Sequence, residues 1–315
     1  MKKLFIIIAM CGVLCTLMNS CKNRQSGQMI ASGETGDCRW EVRKCIEGIY
    51  TLYIKGSGEM GDGEPDERGR IFDNKHPWDE FKDSITVVNI GKGVTSIRGI
   101  TGLSNLRKLT NIFVERGNTE FSSCSEGVLF NNDKTVFVLL FCPKGKTGSY
   151  TIPNGVMGIG AYAFSASKLT DITIPNSVKI IGEHAFAFSS LTSLTIPDGV
   201  EEIGEGVVAF CHDLTSINIG NGITCIARGT FGGAENITSV TIGRNVRCIE
   251  SGAFVDSWRC HQPSKLGRVE VPNHTDVTIC AFPRSTMVFR RNGDFVGGGG
   301  SERGFRTCRC DNWNW

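Results

Sequence analysis

Fourteen cysteines are the residues of this 315-residue chain best able to do chemistry, and their spacing limits what that chemistry can be. Cys11 and Cys15 sit in an apolar leader and Cys21 at its end, which leaves an odd number, eleven, in the body. An odd set cannot pair internally throughout. Several members stand where sister segments carry other residues, so most read as small buried apolar side chains. Close pairs occur at Cys38/Cys45 and Cys308/Cys310, and either could be a disulfide in an oxidising compartment. No Cys-x-x-Cys pair and no histidine cluster accompanies them, so no metal site is expected. The histidines (His76, His184, His212, His261 and His274) form no His-x-x-x-His motif, and His184 and His212 read as surface or half-buried structural residues. Gly145-Lys146-Thr147 ends like a phosphate-cradling loop, but Leu140 stands where the first glycine is needed. Gly-x-Ser-x-Gly is absent, and no carboxylate pair has a spacing that argues for glycoside cleavage. No catalytic residue, cofactor or metal is therefore assigned, and an enzyme is not the reading.

The spacing supports one covalent modification, at Cys21. Lys2 and Lys3 start the chain, and an apolar run follows from Leu4 to about Leu17. That run is shorter than the ~20 residues a spanning helix needs, but it suits the core of a signal peptide. It ends in Leu17-Met18-Asn19-Ser20-Cys21, which resembles a lipobox, where a small residue precedes a cysteine that is lipidated and becomes the mature N-terminus. Acyl chains at ~0.8 kcal/mol per buried methylene would hold such a protein to a membrane. Residues 1–20 are thus expected to be a signal peptide and 21–37 a lipidated Cys21 with a flexible polar tether. The expected location is export to the outer membrane, with the cell surface preferred to the periplasmic face. Lys22-Asn23-Arg24 lack the acidic residues that accompany surface export in some Gram-negative groups, which leaves the periplasmic face open. Formal charge is nearly balanced, at +2, and gives no reason to expect a nucleic-acid partner.

Whatever surface the chain offers must be positioned by its repeats. Thr151-Ile152-Pro153 returns as Thr173-Ile174-Pro175 and Thr195-Ile196-Pro197, then as Asn218-Ile219-Gly220 and Thr241-Ile242-Gly243, in steps of 22 or 23. Val156, Val178, Val200, Ile223 and Val246 hold one slot, and Ile159, Ile181, Ile203, Ile226 and Ile249 the next. Phe164, Phe186, Phe210, Phe231 and Phe254 are expected to form a core ladder. Leu169, Leu191, Leu214 and Ile237, each followed three residues later by Ile172, Leu194, Ile217 or Val240, complete the unit. So short a unit cannot enclose a core, and stacking buries each unit's apolar edge on the next, which gives a solenoid. The Leu-x-x-Ile-x-Ile segment alternates as a short strand, and a helical or 3-10 turn is expected near Ala-Phe.

The units at 151–172 and 173–194, Thr-Ile-Pro-x-x-Val-x-x-Ile-Gly-x-x-Ala-Phe-x-x-x-x-Leu-Thr, closely resemble the BspA-like leucine-rich repeat family. The resemblance implies a leucine-rich-repeat solenoid, a right-handed α/β-type superhelix that is mostly β with a parallel strand ladder on one face. It extends over N-terminal strands and a cap at 38–84 and repeats at 85–290, with a hairpin-bearing variant unit at about 112–150. Residues 255–268 lengthen one unit, and 291–315 form a Gly-rich linker and tail.

The resemblance also implies a binding or adhesion role. The candidate binding face is the set of outward strand positions Ser149, Thr151, Asp171, Thr173, Ser193, Thr195, Ser216, Asn218, Ser239, Thr241, Arg268 and Glu270. Two readings stay open for it: small polar residues that merely solvate an exposed sheet, and a surface for a host or extracellular-matrix protein or a glycan. Trp258, Trp313 and Trp315 are further aromatic candidates. A glycan-binding accessory lipoprotein and a structural envelope protein are the alternatives.

Overall fold

The computed structural model describes residues 27–45, 48–61, 76–97, 101–133, 135–255, 265–278, 280–283 and 285–298. The leader, Cys21, Trp258, Cys308, Cys310, Trp313 and Trp315 lie outside them. The chain divides into two compact units, 1–127 and 128–315. Among the described residues no helix is long and apolar enough to cross a membrane.

The first unit starts with β1 (Gln28–Thr35), β2 (Cys38–Lys44) and β3 (Tyr50–Met60), paired antiparallel in order. The β1–β2 turn is closed by Thr35 and Cys38, and Gly36 adopts φ 58°, which a two-residue hairpin turn requires. Then β4 (Ile85–Ile90) stacks parallel on β3, β6 (Asn111–Val114) on β4, and β5 (Gly93–Ile97) on the far end of β3. A three-residue strand, β7 (Phe121–Ser123), closes the unit. Asn118 ties one turn together: its Nδ2 donates to the carbonyls of Gly91 and Val94, both at 2.9 Å, and its Oδ1 accepts from the amides of Glu120 and Phe121.

Two expectations are corrected here. Residues 28–35 are not a tether but an edge strand, because the β2 backbone offers them a ladder, broken only by a bulge between Met29 and Ala31, that composition alone does not reveal. Cys38 and Cys45 are not bonded to each other: β2 runs extended between them, which at ~3.3 Å per residue sets them roughly 20 Å apart, well beyond disulfide reach.

The second unit opens with a hairpin of β8 (Leu129–Asn131) and β9 (Val138–Phe141). It continues as coils with two parallel ladders. The first side runs in three paired stretches: β10 (Thr147–Thr151) with β12 (Lys168–Thr173), then β14 (Ser193–Ile196), β16 (Ser216–Ile219) and β18 (Ser239–Thr241), then β20 (Arg268–Val271) with β22 (Met287–Arg290). The second, absent from the sequence reading, is made of two-residue strands in two paired stretches, β11 (Gly158–Ile159), β13 (Ile180–Ile181) and β15 (Glu202–Ile203), then β17 (Cys225–Ile226), β19 (Cys248–Ile249) and β21 (Asp276–Val277). The third side of each coil is an arch of turns, without the expected helical turn. Its amides still bond from coil to coil, as in Phe164 N–H to the Ala185 carbonyl (2.7 Å) and Phe186 N–H to the Val207 carbonyl (2.9 Å). A last strand, β23 (Phe295–Gly298), folds back antiparallel on β22, so Gly297 and Gly298 belong to a sheet edge and not to a linker.

The inward face of the first ladder carries Ile172, Leu194, Ile217, Val240 and Val269, all buried. Just before its strands the motif threonine makes a ladder of its own. Thr192, Thr215 and Thr238 each donate both the backbone amide and Oγ1 to the carbonyl of the threonine, or of Thr170, one coil earlier, at 2.8–3.2 Å. A hydroxyl at that spot satisfies an exposed edge while its β-branch favours the strand.

The phenylalanine ladder holds with one substitution of member. Phe164 and Phe186 stack at 5.3 Å, Phe231 and Phe254 at 5.0 Å, and Phe254 and Phe282 at 4.7 Å, all buried. Phe210 does not belong. Its coil places Val208 in the core slot, 22 residues after Phe186 and 23 before Phe231, while Phe210 is exposed. The Ala209-Phe210 pair continues Ala187-Phe188, not Ala185-Phe186, as the Phe188 N–H bond to the Ala209 carbonyl records.

Candidate functional site

Three features of the second unit stand apart from its packing. The first is the outward side of the first ladder. Strand alternation turns Ser149, Thr151, Asp171, Thr173, Ser193, Thr195, Asn218, Ser239 and Thr241 to solvent, and Ser216 is half-buried. They stand in register: Ser149 beside Asp171, Thr151 beside Thr173, Ser193 beside Ser216 and then Ser239, Thr195 beside Asn218 and then Thr241. The strands carrying them present no outward aromatic ring. At the far end Arg268 and Glu270 are exposed but paired with each other, Nη2 to Oε1 at 2.8 Å, and the guanidinium lies 4.1 Å over the Phe289 ring. That pair therefore presents little net charge to a partner, and at such exposure it contributes little stability.

The second feature was not among the expected site residues. Tyr162, Phe188 and Phe210, on the arch, are 49%, 60% and 38% exposed. Phe188 and Phe210 stack at 4.9 Å, and Tyr162 meets half-buried His184 at 5.2 Å with the rings tilted by 33°, the His184 Nδ1 lying 3.2 Å from the Gly206 carbonyl. The backbone at Tyr162, His184, Phe188 and Phe210 is left-handed, with φ of 50–59°. The coil imposes that shape, since sister coils place Gly206, Gly229, Gly252 and Gly233 at the equivalent positions with φ of 60–80°. A bulky side chain in a glycine slot costs roughly 1–3 kcal/mol and buries little in return. The glycines at 206, 229 and 252, read at the repeat period, were the signal that could have exposed these aromatics as misfits.

The third feature lies on the second ladder. Cys225 and Cys248 pair in register on β17 and β19, and Glu250 follows two residues after Cys248. The two Sγ atoms and a Glu250 carboxylate oxygen all lie within 4.8 Å of one another. Partial burial, the neighbouring Cys248 and the Glu250 charge push the Cys225 thiol up to about 12. The trio was invisible as a motif because one full coil separates its members. Cys38, Cys142 and Cys211 do behave as small buried residues, and burial raises the Cys211 thiol, which donates to the Phe186 carbonyl at 3.0 Å. His212 is exposed, as expected of a variable slot.

Comparison with known proteins supplies the fold's relatives. Residues 139–260 match the BspA type leucine rich repeat region in six copies. No curated protein matches. Among solved structures, a leucine-rich repeat protein from Eubacterium ventriosum superposes with a TM-score of 0.50 at 18% identity, covering 81% of this chain and 95% of its own. One from Bacteroides ovatus gives 0.35 at 15%, covering 81% and 90%. The pneumococcal vaccine antigen PcpA gives 0.37 at 15%, covering 85% and 94%. At 18% identity the likeness to the Eubacterium ventriosum protein is one of fold.

Proposed function

With residues 139–260 formed of BspA-type leucine-rich repeats, we propose that this chain is a lipid-anchored envelope protein whose first parallel ladder binds a host or extracellular-matrix protein. The observation that carries the reading is the register of its outward polar columns. Five strands, in register within β10–β12 and within β14–β16–β18, bring Ser, Thr, Asn and Asp side chains toward solvent, and their inward neighbours are buried. A flat, preorganised array of hydroxyls and amides makes many hydrogen bonds without ordering long side chains, so little affinity is lost to entropy. Held by acyl chains on Cys21, that face would be presented to the exterior of the membrane that carries it.

The exposed aromatics favour a second reading specifically. Tyr162, Phe188 and Phe210 lie on the arch, and stacked rings of this kind suit the apolar faces of sugars. On that reading the ligand is a glycan and the polar ladder is merely solvated.

Binding of the purified chain to immobilised matrix proteins and to a glycan array separates the two. A triple variant, Thr195→Arg, Asn218→Arg and Thr241→Arg, fills one outward column with long cations and leaves every inward residue intact. At least a tenfold loss of protein binding is expected, with unchanged circular dichroism and a silent array. Binding that survives the triple variant would transfer the role away from the ladder. An array signal lost in Phe188→Ala/Phe210→Ala would establish the glycan reading, and silence on both supports would leave a structural envelope protein. The anchor is checked separately: palmitate labelling of cells is expected to vanish in Cys21→Ala, and persistent labelling would remove Cys21 from the account. Protease treatment of intact cells reads the face on which the protein stands.

A further inference from the structure

The second ladder's outward column holds Gly158, Ile180, Glu202, Cys225, Cys248 and Asp276, so nothing in the coil's packing asks for cysteine there. Inward neighbours Ile226 and Ile249 are buried and do the packing. The two thiols nonetheless stand side by side as register partners on neighbouring parallel strands. Glu250 returns to the Cys248 side because strand side chains repeat every second residue. Its carboxylate is also held in place: Oε2 accepts the Arg228 amide at 3.1 Å, a bond from one coil to the next. The rigid scaffold thus fixes two sulfurs and one oxygen within 4.8 Å of one another.

We propose that Cys225, Cys248 and Glu250 form a binding site for a thiophilic divalent metal ion of the Zn²⁺ class, with the fourth position open to water or an external ligand. Tetrahedral Zn²⁺ with bonds of ~2.3 Å to sulfur sets its sulfurs about 3.8 Å apart, so the trio closes on an ion by side-chain rotation alone. Two thiolates select this class over Mg²⁺ and Ca²⁺, which take oxygen ligands. On binding, both S–H bonds break, their two protons pass to solvent, and two sulfur–metal bonds form while the carboxylate contributes its existing lone pair. No electron is transferred. Three protein ligands with an open fourth position is the pattern of a site that can reach out to a second molecule.

The test uses the full chain, reduced and made metal-free, titrated with Co²⁺ and then Zn²⁺. One equivalent of Co²⁺ is expected to raise a sulfur-to-metal charge-transfer band that Zn²⁺ abolishes and that Cys225→Ser/Cys248→Ser never develops. Glu250→Gln should keep the band and weaken binding at least tenfold. Zn²⁺ should raise the urea midpoint of the wild type and leave that of the double variant unmoved, since an ion stabilises only the state it binds. A band that persists in the double variant would overturn the site. So would protein isolated without reductant and found cross-linked between Cys225 and Cys248 with no metal taken up after reduction.

Discussion

Replacing Phe186 by alanine is expected to cost the second unit about 3–5 kcal/mol, the range for deleting a fully buried ring from a core that cannot collapse around the gap. The physical basis is its position between coils. Its ring stacks on Phe164 at 5.3 Å, no part of it meets solvent, and the next coil offers only Val208, which is too small to lean into the cavity. A solenoid coil has neighbours on two sides only, so an interior gap weakens both of its interfaces at once. Phe210→Ala is the internal control. That residue is exposed, and alanine in its place gives up little packing at a left-handed position, so a change within about 1 kcal/mol is expected. Urea unfolding followed by circular dichroism reads both. Equal losses for Phe186 and Phe210 would mean that the core register runs through Phe210 after all.

Trp78→Ala is expected to cost the first unit a comparable 3–5 kcal/mol. Trp78 is fully buried, stacked on His76 at 5.1 Å and met edge-on by Trp40 at 6.3 Å, and its Nε1 donates to the Gly102 carbonyl at 3.3 Å. Alanine removes the ring and orphans that carbonyl. Trp78→Phe keeps most of the packing and forfeits the hydrogen bond, for a smaller loss of about 1–2 kcal/mol. Amide exchange over residues 38–114 is the measurement. Protection there should fall with Trp78→Ala, and protection that stays at the wild-type level would show that the ring does not hold these strands together.

The repeat period announced both the solenoid and its inward residues, because an apolar side chain returning every 22 or 23 positions has nowhere to go but onto its counterpart. The twelve positions of the candidate face were legible for the same reason: once the strand is placed, alternation by two decides what points outward. Phe210 was misplaced because the Ala-Phe dipeptide occurs twice in succession, at 185–186 and 187–188, and residue type alone matches it to the wrong copy. Counting 22 residues from Phe186 arrives at Val208. The second ladder escaped notice because a two-residue strand has no periodicity to detect, and the sequence around 28–35 is too polar to announce an edge strand.

Residue order thus determined what each coil is made of: its length, its buried slots and its solvent-facing slots, all consequences of covering one coil's apolar flank with the next. Only the tertiary structure decided which side chains meet between coils. Cys225, Cys248 and Glu250, the Phe188–Phe210 stack and the threonine ladder join residues from adjacent coils, separated by a step that varies from 22 to 23. The residue added in a 23-residue step is taken up between strands, so the paired faces stay the same while the contacts between coils change. The local sequence does not carry that register, and the packed coil does.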